Sequence, residues 1–178
     1  MTMRSNYFGT LEVTRRCLPL LERSQSPRII NVAGRAGRLA ILRSRELVDA
    51  FTSETLTVSG LSSLMREFAR DARDGSYRSR GWPATSYGMS KLGLIALTRV
   101  LARRHPDMMV NSVDPGYCCT DHNGNRGDVN AADGAYTPYL LTQVEGDEAG
   151  GEVMSGLHFY DQQVALCTAH CIFENLHI

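Results

Sequence analysis

Lysine is nearly absent from this 178-residue chain: of its 19 basic residues, 18 are arginine and one is Lys91. Tryptophan is as scarce, with Trp82 alone. Excess charge is missing too, since 19 Asp+Glu balance 19 Lys+Arg. That balance excludes a generally basic nucleic-acid binder and a highly charged disordered tail. No stretch reaches the roughly 18 apolar residues of a membrane span, and no basic-then-apolar leader opens the chain, so no membrane partner is expected. There is no Asn-x-Ser/Thr acceptor, and the five cysteines are odd in number without framework spacing. A reducing, cytoplasmic setting is the expectation. What is present is ordinary globular material, 43% hydrophobic and 21% charged. It suffices for the core of one domain or slightly more, at about 100–200 residues per domain.

The order of elements follows from periodicity. Phe8, Leu11, Leu18 and Leu21 recur at helical spacing between Asn6 and about Arg23, with Pro19 predicting a kink or an early end. Arg28 to Ala33 is short, apolar and β-branched, and reads as a buried strand. Residues 44–80 are polar and helix-prone, with Leu61, Leu64, Met65, Phe68 and Ala72 as one stripe. Thr85 or Ser86 caps a helix running to about Arg104, apolar nearly all round in its middle. Met108 to Val113 is a second strand, stopped by Asp114-Pro115-Gly116. Asn130 caps a helix through Leu141, and a third strand is expected within Val153 to Tyr160. This alternation predicts an α/β fold, a partial doubly wound parallel sheet of about three strands flanked by helices. An open edge is expected beside the 28–33 strand.

Chemistry concentrates where the lone lysine sits. Tyr87-Gly88-Met89-Ser90-Lys91 places a phenol and an ammonium four residues apart, on one face at the start of a helix. A neighbouring ammonium favours phenolate, so Lys91 is expected to lower the Tyr87 pKa and fit Tyr87 for acid–base work on carbonyls and alcohols. The plainer alternative is a solvated i,i+4 pair.

Around this pair, Asn6-Tyr7-Phe8-Gly9-Thr10, Arg28-Ile-Ile-Asn31-Val, Gly81-Trp82-Pro83, Asp114-Pro115-Gly116 and Thr120-Asp121 appear in order. The set resembles the short-chain dehydrogenase/reductase family, and within it the monomeric NADPH-dependent carbonyl reductases, which carry a helical insertion before a Gly-Trp-Pro segment. The resemblance covers residues 1–163, with the insertion at 44–80; residues 164–178 diverge as a tail. It implies that Tyr87 donates a proton to the substrate carbonyl. Lys91 would bond the nicotinamide ribose, and Asn6 would hold a relay water. Pro115, Gly116 and Thr120 would lie along the nicotinamide of NADP, while Asn31 supports the strand end. The implied partner is a small-molecule ketone, aldehyde or quinone, acted on by a monomer.

Two departures qualify that expectation. The family's catalytic serine position is Gly34 here, and no Ser or Thr in 33–40 substitutes for it. Losing one such donor typically costs on the order of 100–1,000-fold in turnover. The Gly-rich pyrophosphate turn of the family's N-terminal βαβ half is missing, and no Gly-x-Gly-x-x-Gly occurs in the chain. The sequence resembles the C-terminal half alone. The alternative to an impaired reductase is therefore an inactive fragment, an interaction module if anything, associating through its exposed sheet edge.

Other features read more plainly. Cys167, His170, Cys171 and His177 form one cluster where zinc sites normally need two, so no metal is expected. Cys118-Cys119 reads as two ordinary thiols, and Cys17 as a core residue. Arg35 and Arg38 flank the missing serine, where they could meet phosphate or an acidic substrate, with solvated surface the stronger default because arginine is so common here. Trp82 either rims a cleft or anchors the insertion, and the anchor is favoured because a lone Trp carries no functional geometry.

Overall fold

A computed structural model describes residues 1–144 and 154–160, with the backbone alone at 163–164. Strands β1 (Arg28–Val32), β2 (Met109–Asp114) and β3 (His158–Tyr160) run parallel in the order β1-β2-β3. A two-residue β4 (Gln163–Val164) returns antiparallel along β3. Three strands match the expectation. The fourth was not legible, because two residues carry no periodicity.

Every residue of β2 is buried, and the side chains of Asn111 and Ser112 bond to the segment leading into β3. Asn111 Nδ2 donates to the Met154 carbonyl at 2.8 Å, and Asn111 Oδ1 accepts from Leu157 N at 3.0 Å. Strand β1 is half-buried rather than buried, with Val32 51% exposed. The reason is its place in the sheet: among the described strands it pairs only with β2, which leaves the expected open edge.

Helices cover both faces. On one, helix α1 (Thr10–Leu21) and helix α4 (Ser86–Arg104) pack on Ile29 and Val110. On the other, helix α5 (Ala131–Gln143) sends Leu141 against Ile30, Val113 and Phe159. Two helix starts are marked as the sequence suggests. Thr85 Oγ1 accepts from Gly88 N at 3.0 Å, and Asn130 Oδ1 accepts from Ala132 N at 2.8 Å. Pro19 falls in the last turn of α1, which ends two residues later. Ahead of α1, Arg4–Gly9 is a π-helical turn, a wider winding that hydrophobic spacing does not reveal.

The 44–80 segment forms helices α2 (Arg45–Thr52) and α3 (Val58–Asp74). Leu61, Met65 and Phe68 are buried as expected, but Ala72 is exposed and Asp71 takes the inward position. The exchange is driven by Trp82, which is fully buried and donates Nε1–H to Asp71 Oδ2 at 3.0 Å. Trp82 also packs edge-on against Phe51 and Phe68, so it anchors α2 and α3 and does not rim a cleft. Asn31 is structural as expected, donating to Thr98 Oγ1 at 2.9 Å. Cys17 is half-buried rather than enclosed. The cysteines and histidines of the tail lie outside the described residues.

Candidate active site

The C-terminal ends of β1, β2 and β3 open into one cleft of about 350 Å³. That end of a parallel sheet is where open α/β folds bind ligands, because the connecting loops diverge there. Tyr87 and Lys91 line it from the first turns of α4, Gly34 and Arg35 from the turn after β1, and Asp114 to Gly116 from the end of β2. The helix is brought this close by Gly37. A Cβ on Gly37 would sit 2.4 Å from the Leu92 nitrogen, so the 3₁₀ turn Arg35–Gly37 lies directly on α4 beside Lys91.

Tyr87 is 53% exposed, with its ring centroid 5.5 Å from Lys91 Nζ. Lys91 Nζ donates to the Val32 carbonyl at 2.9 Å, which fixes the ammonium at the mouth of β1. The expected lowering of the phenol pKa is not what this geometry produces. Partial burial and then the Asp114 carboxylate both raise Tyr87. Lys91 is lowered by burial, with Asp114 opposing that shift. The ammonium is directed at a carbonyl, so its hold on the phenol is weaker than the i,i+4 spacing suggests.

Asn6 stands one step back from the cleft. Its Nδ2 donates to Ser90 Oγ at 3.0 Å, and Ser90 Oγ donates to the Tyr87 carbonyl at 2.7 Å. The π turn thus reaches the helix start that carries Tyr87. Pro115 and Gly116 form part of the cleft wall, whereas Thr120 does not line it. Thr120 caps the 3₁₀ turn Asp121–Asn123 through a reciprocal bond with Asn123. Cys118 Sγ and Cys119 Sγ donate to different carbonyls, of Pro115 and Asn125, as two ordinary thiols would.

Gly34 is more than a serine without its side chain. Its backbone sits at φ 154° and ψ 152°, a region that is essentially glycine-only. Asp114 was missed as a functional group and read only as a strand stop. Its carboxylate at the C-terminal end of an apolar strand was the available signal. Oδ2 accepts from Arg35 N at 2.7 Å and Oδ1 from Gly116 N at 2.9 Å, so one side chain ties together two walls of the cleft.

The comparisons agree with this arrangement. No protein-family model matches the chain. The chain is 39% identical over 165 residues to (+)-neomenthol dehydrogenase of Capsicum annuum, covering 91% of itself and 51% of that protein. It is 35% identical over 164 residues to carbonyl reductase (NADPH) 1 of Bos taurus, covering 87% and 58%. Short-chain dehydrogenase/reductase 1 of Saponaria officinalis is 36% identical over 142 residues, with coverage of 78% and 47%. The solved structure of salutaridine reductase from Papaver somniferum superposes with a TM-score of 0.75 at 31% identity, over 89% of this chain and 53% of that one. The chain belongs to the short-chain dehydrogenase/reductase family. It spans about half the length of the curated relatives it matches. Among the described residues no helix is long and apolar enough to cross a membrane, and no cluster of metal-binding side chains occurs.

Proposed function

We propose that the cleft is the proton-donating part of a carbonyl-reducing centre that uses NADPH. The observation that carries this reading is the convergence of Tyr87 and Lys91 with the Pro115–Gly116 wall in one cleft at the C-terminal ends of the strands. The residues present fit one end of a nicotinamide nucleotide, because an ammonium and a phenol face a shared small volume. Nothing in the chain offers a Gly-rich turn for the pyrophosphate. When bound, the reduced nicotinamide supplies a hydride to a ketone, aldehyde or quinone. Tyr87 donates its phenolic proton to the carbonyl oxygen, and Lys91 holds positive charge beside it. Asn6 positions the first turn of α4 through Ser90. With glycine at position 34, one hydrogen-bond donor to that oxygen is missing, and turnover is expected on the order of 100–1,000-fold below that of a serine-bearing centre.

An inactive fragment is the second reading, favoured by the missing Gly-rich turn and the backbone of Gly34. Packing of α3 on α4 supports a monomer, since Met65 fills the space above Gly93 and covers that face of the helix. Free thiols at Cys17, Cys118 and Cys119 suit a cytoplasmic setting. The deciding experiment follows NADPH consumption by the 178-residue chain with a simple diketone or menadione, alongside Tyr87→Phe. Slow turnover abolished in the variant supports reduction. A chain that neither binds NADPH nor consumes it leaves the inactive reading standing.

A further inference from the structure

We propose that Arg35 makes the cleft selective for carbonyl compounds bearing a carboxylate. The inference rests on the reading above for the word carbonyl, and on Arg35 alone for the acid. Gly34 contributes no side chain, so the first polar side chain after β1 to reach the cleft is Arg35. It is held at both ends. Its backbone N–H is fixed on Asp114 Oδ2 at 2.7 Å, and its guanidinium carbon lies 4.3 Å from the centroid of the Tyr160 ring.

A guanidinium stacked on an aromatic face keeps its in-plane N–H donors available, already oriented. Some other arginines spend theirs on acids: Arg16 pairs with Glu12, Arg45 with Asp49, Arg80 with Glu67 and Asp71, and Arg99 with Glu54. Among the described residues no carboxylate is paired with Arg35. Two carboxylates line the same cleft. Asp114 is occupied by two backbone amides, and Asp128 is exposed and makes no ion pair with Arg35. The other cation, Lys91, is already directed at the Val32 carbonyl. The cleft therefore holds one oriented cationic fork without an acid to receive it, the donor set that recognises a carboxylate in two-point fashion.

The test compares phenylglyoxylate with its neutral methyl ester by calorimetric titration of the 178-residue chain, without cofactor. Wild type is expected to bind the acid at least about tenfold tighter than the ester, as a charge-assisted pair warrants. Arg35→Gln removes the preference, Arg35→Lys retains part of it, and Arg38→Gln, outside the cleft, leaves it intact. Equal binding of acid and ester, no binding of either, or a preference that survives in Arg35→Gln overturns the proposal. Adding NADPH to the same samples separates the two readings. Acid preference without turnover sinks the reductase and keeps this inference, while turnover without preference does the reverse.

Discussion

The Asp114 carboxylate accepts the backbone N–H of Arg35 at 2.7 Å, fastening the turn after β1 to the end of β2. Its second oxygen takes Gly116 N, so one side chain 9% exposed holds two walls of the cleft and sets the local charge. Truncation removes both acceptors at once. Asp114→Ala is expected to cost about 1–3 kcal/mol in urea unfolding, with Asp114→Asn costing less because one acceptor oxygen remains.

The same carboxylate has an electrostatic signature. It raises Tyr87, so removing its charge brings the phenol pKa down. Spectrophotometric titration of phenolate absorbance, with Tyr87→Phe as the difference reference, should show an earlier midpoint for Tyr87 in Asp114→Asn. An unmoved midpoint would mean that burial alone governs the phenol.

Returning serine to position 34 is the obvious repair, and the backbone argues against its working alone. At φ 154° a side chain is strained although space is open, the nearest atom to a Cβ being Asp114 Oδ1 at 3.9 Å. Gly34→Ser is expected to lose about 1–3 kcal/mol in thermal or urea unfolding. Any turnover should rise far less than the 100–1,000-fold typical of one such donor. A serine variant as stable as wild type would show that the turn relaxes readily.

These cases mark where sequence was informative. The all-round apolar run of α4, the Thr85 and Asn130 caps and the β2 strand were readable because burial imposes composition on them. The closeness of Tyr87 and Lys91 was readable because a rare residue type stood at helical spacing. Asp114 was not: its bond to the Arg35 amide depends on two turns meeting across 79 positions, which no local pattern encodes, although Arg35 itself stood out beside Gly34. The phenol pKa ran opposite to expectation for the same reason. Spacing placed Lys91 near Tyr87, but the Val32 carbonyl, from a different strand, captured the ammonium.

Asp71 offers a spectroscopic test of the insertion. It is 2% exposed, receives the indole N–H of the only tryptophan and lies 3.5 Å from Arg80 Nε. Asp71→Ala leaves a buried donor unpaired and separates α3 from Trp82, at a cost of about 1–3 kcal/mol. Trp82 emission should shift to the red as water reaches the ring. Emission at the wild-type wavelength with unchanged stability would show that the two phenylalanines hold Trp82 without help.

Tyr7 predicts a loss of stability in alkali. It is fully buried, its hydroxyl 3.1 Å from Ser62 Oγ, and burial pushes its pKa up to about 12 from the usual value near 10. The folded state thus favours the neutral phenol more than the unfolded chain does. The contribution is complete below pH 10 and is lost as pH rises toward 12, by roughly 2–3 kcal/mol in all. Tyr7→Phe removes that dependence but leaves the Ser62 hydroxyl without its partner, a cost of about 1 kcal/mol at pH 7. Urea midpoints taken at pH 7, 10, 11 and 12 should therefore start with wild type ahead and cross at about pH 11, leaving Tyr7→Phe ahead at pH 12, because a loss of roughly 2–3 kcal/mol exceeds an advantage of about 1. Curves that stay parallel across that range would show that Tyr7 titrates equally in both states.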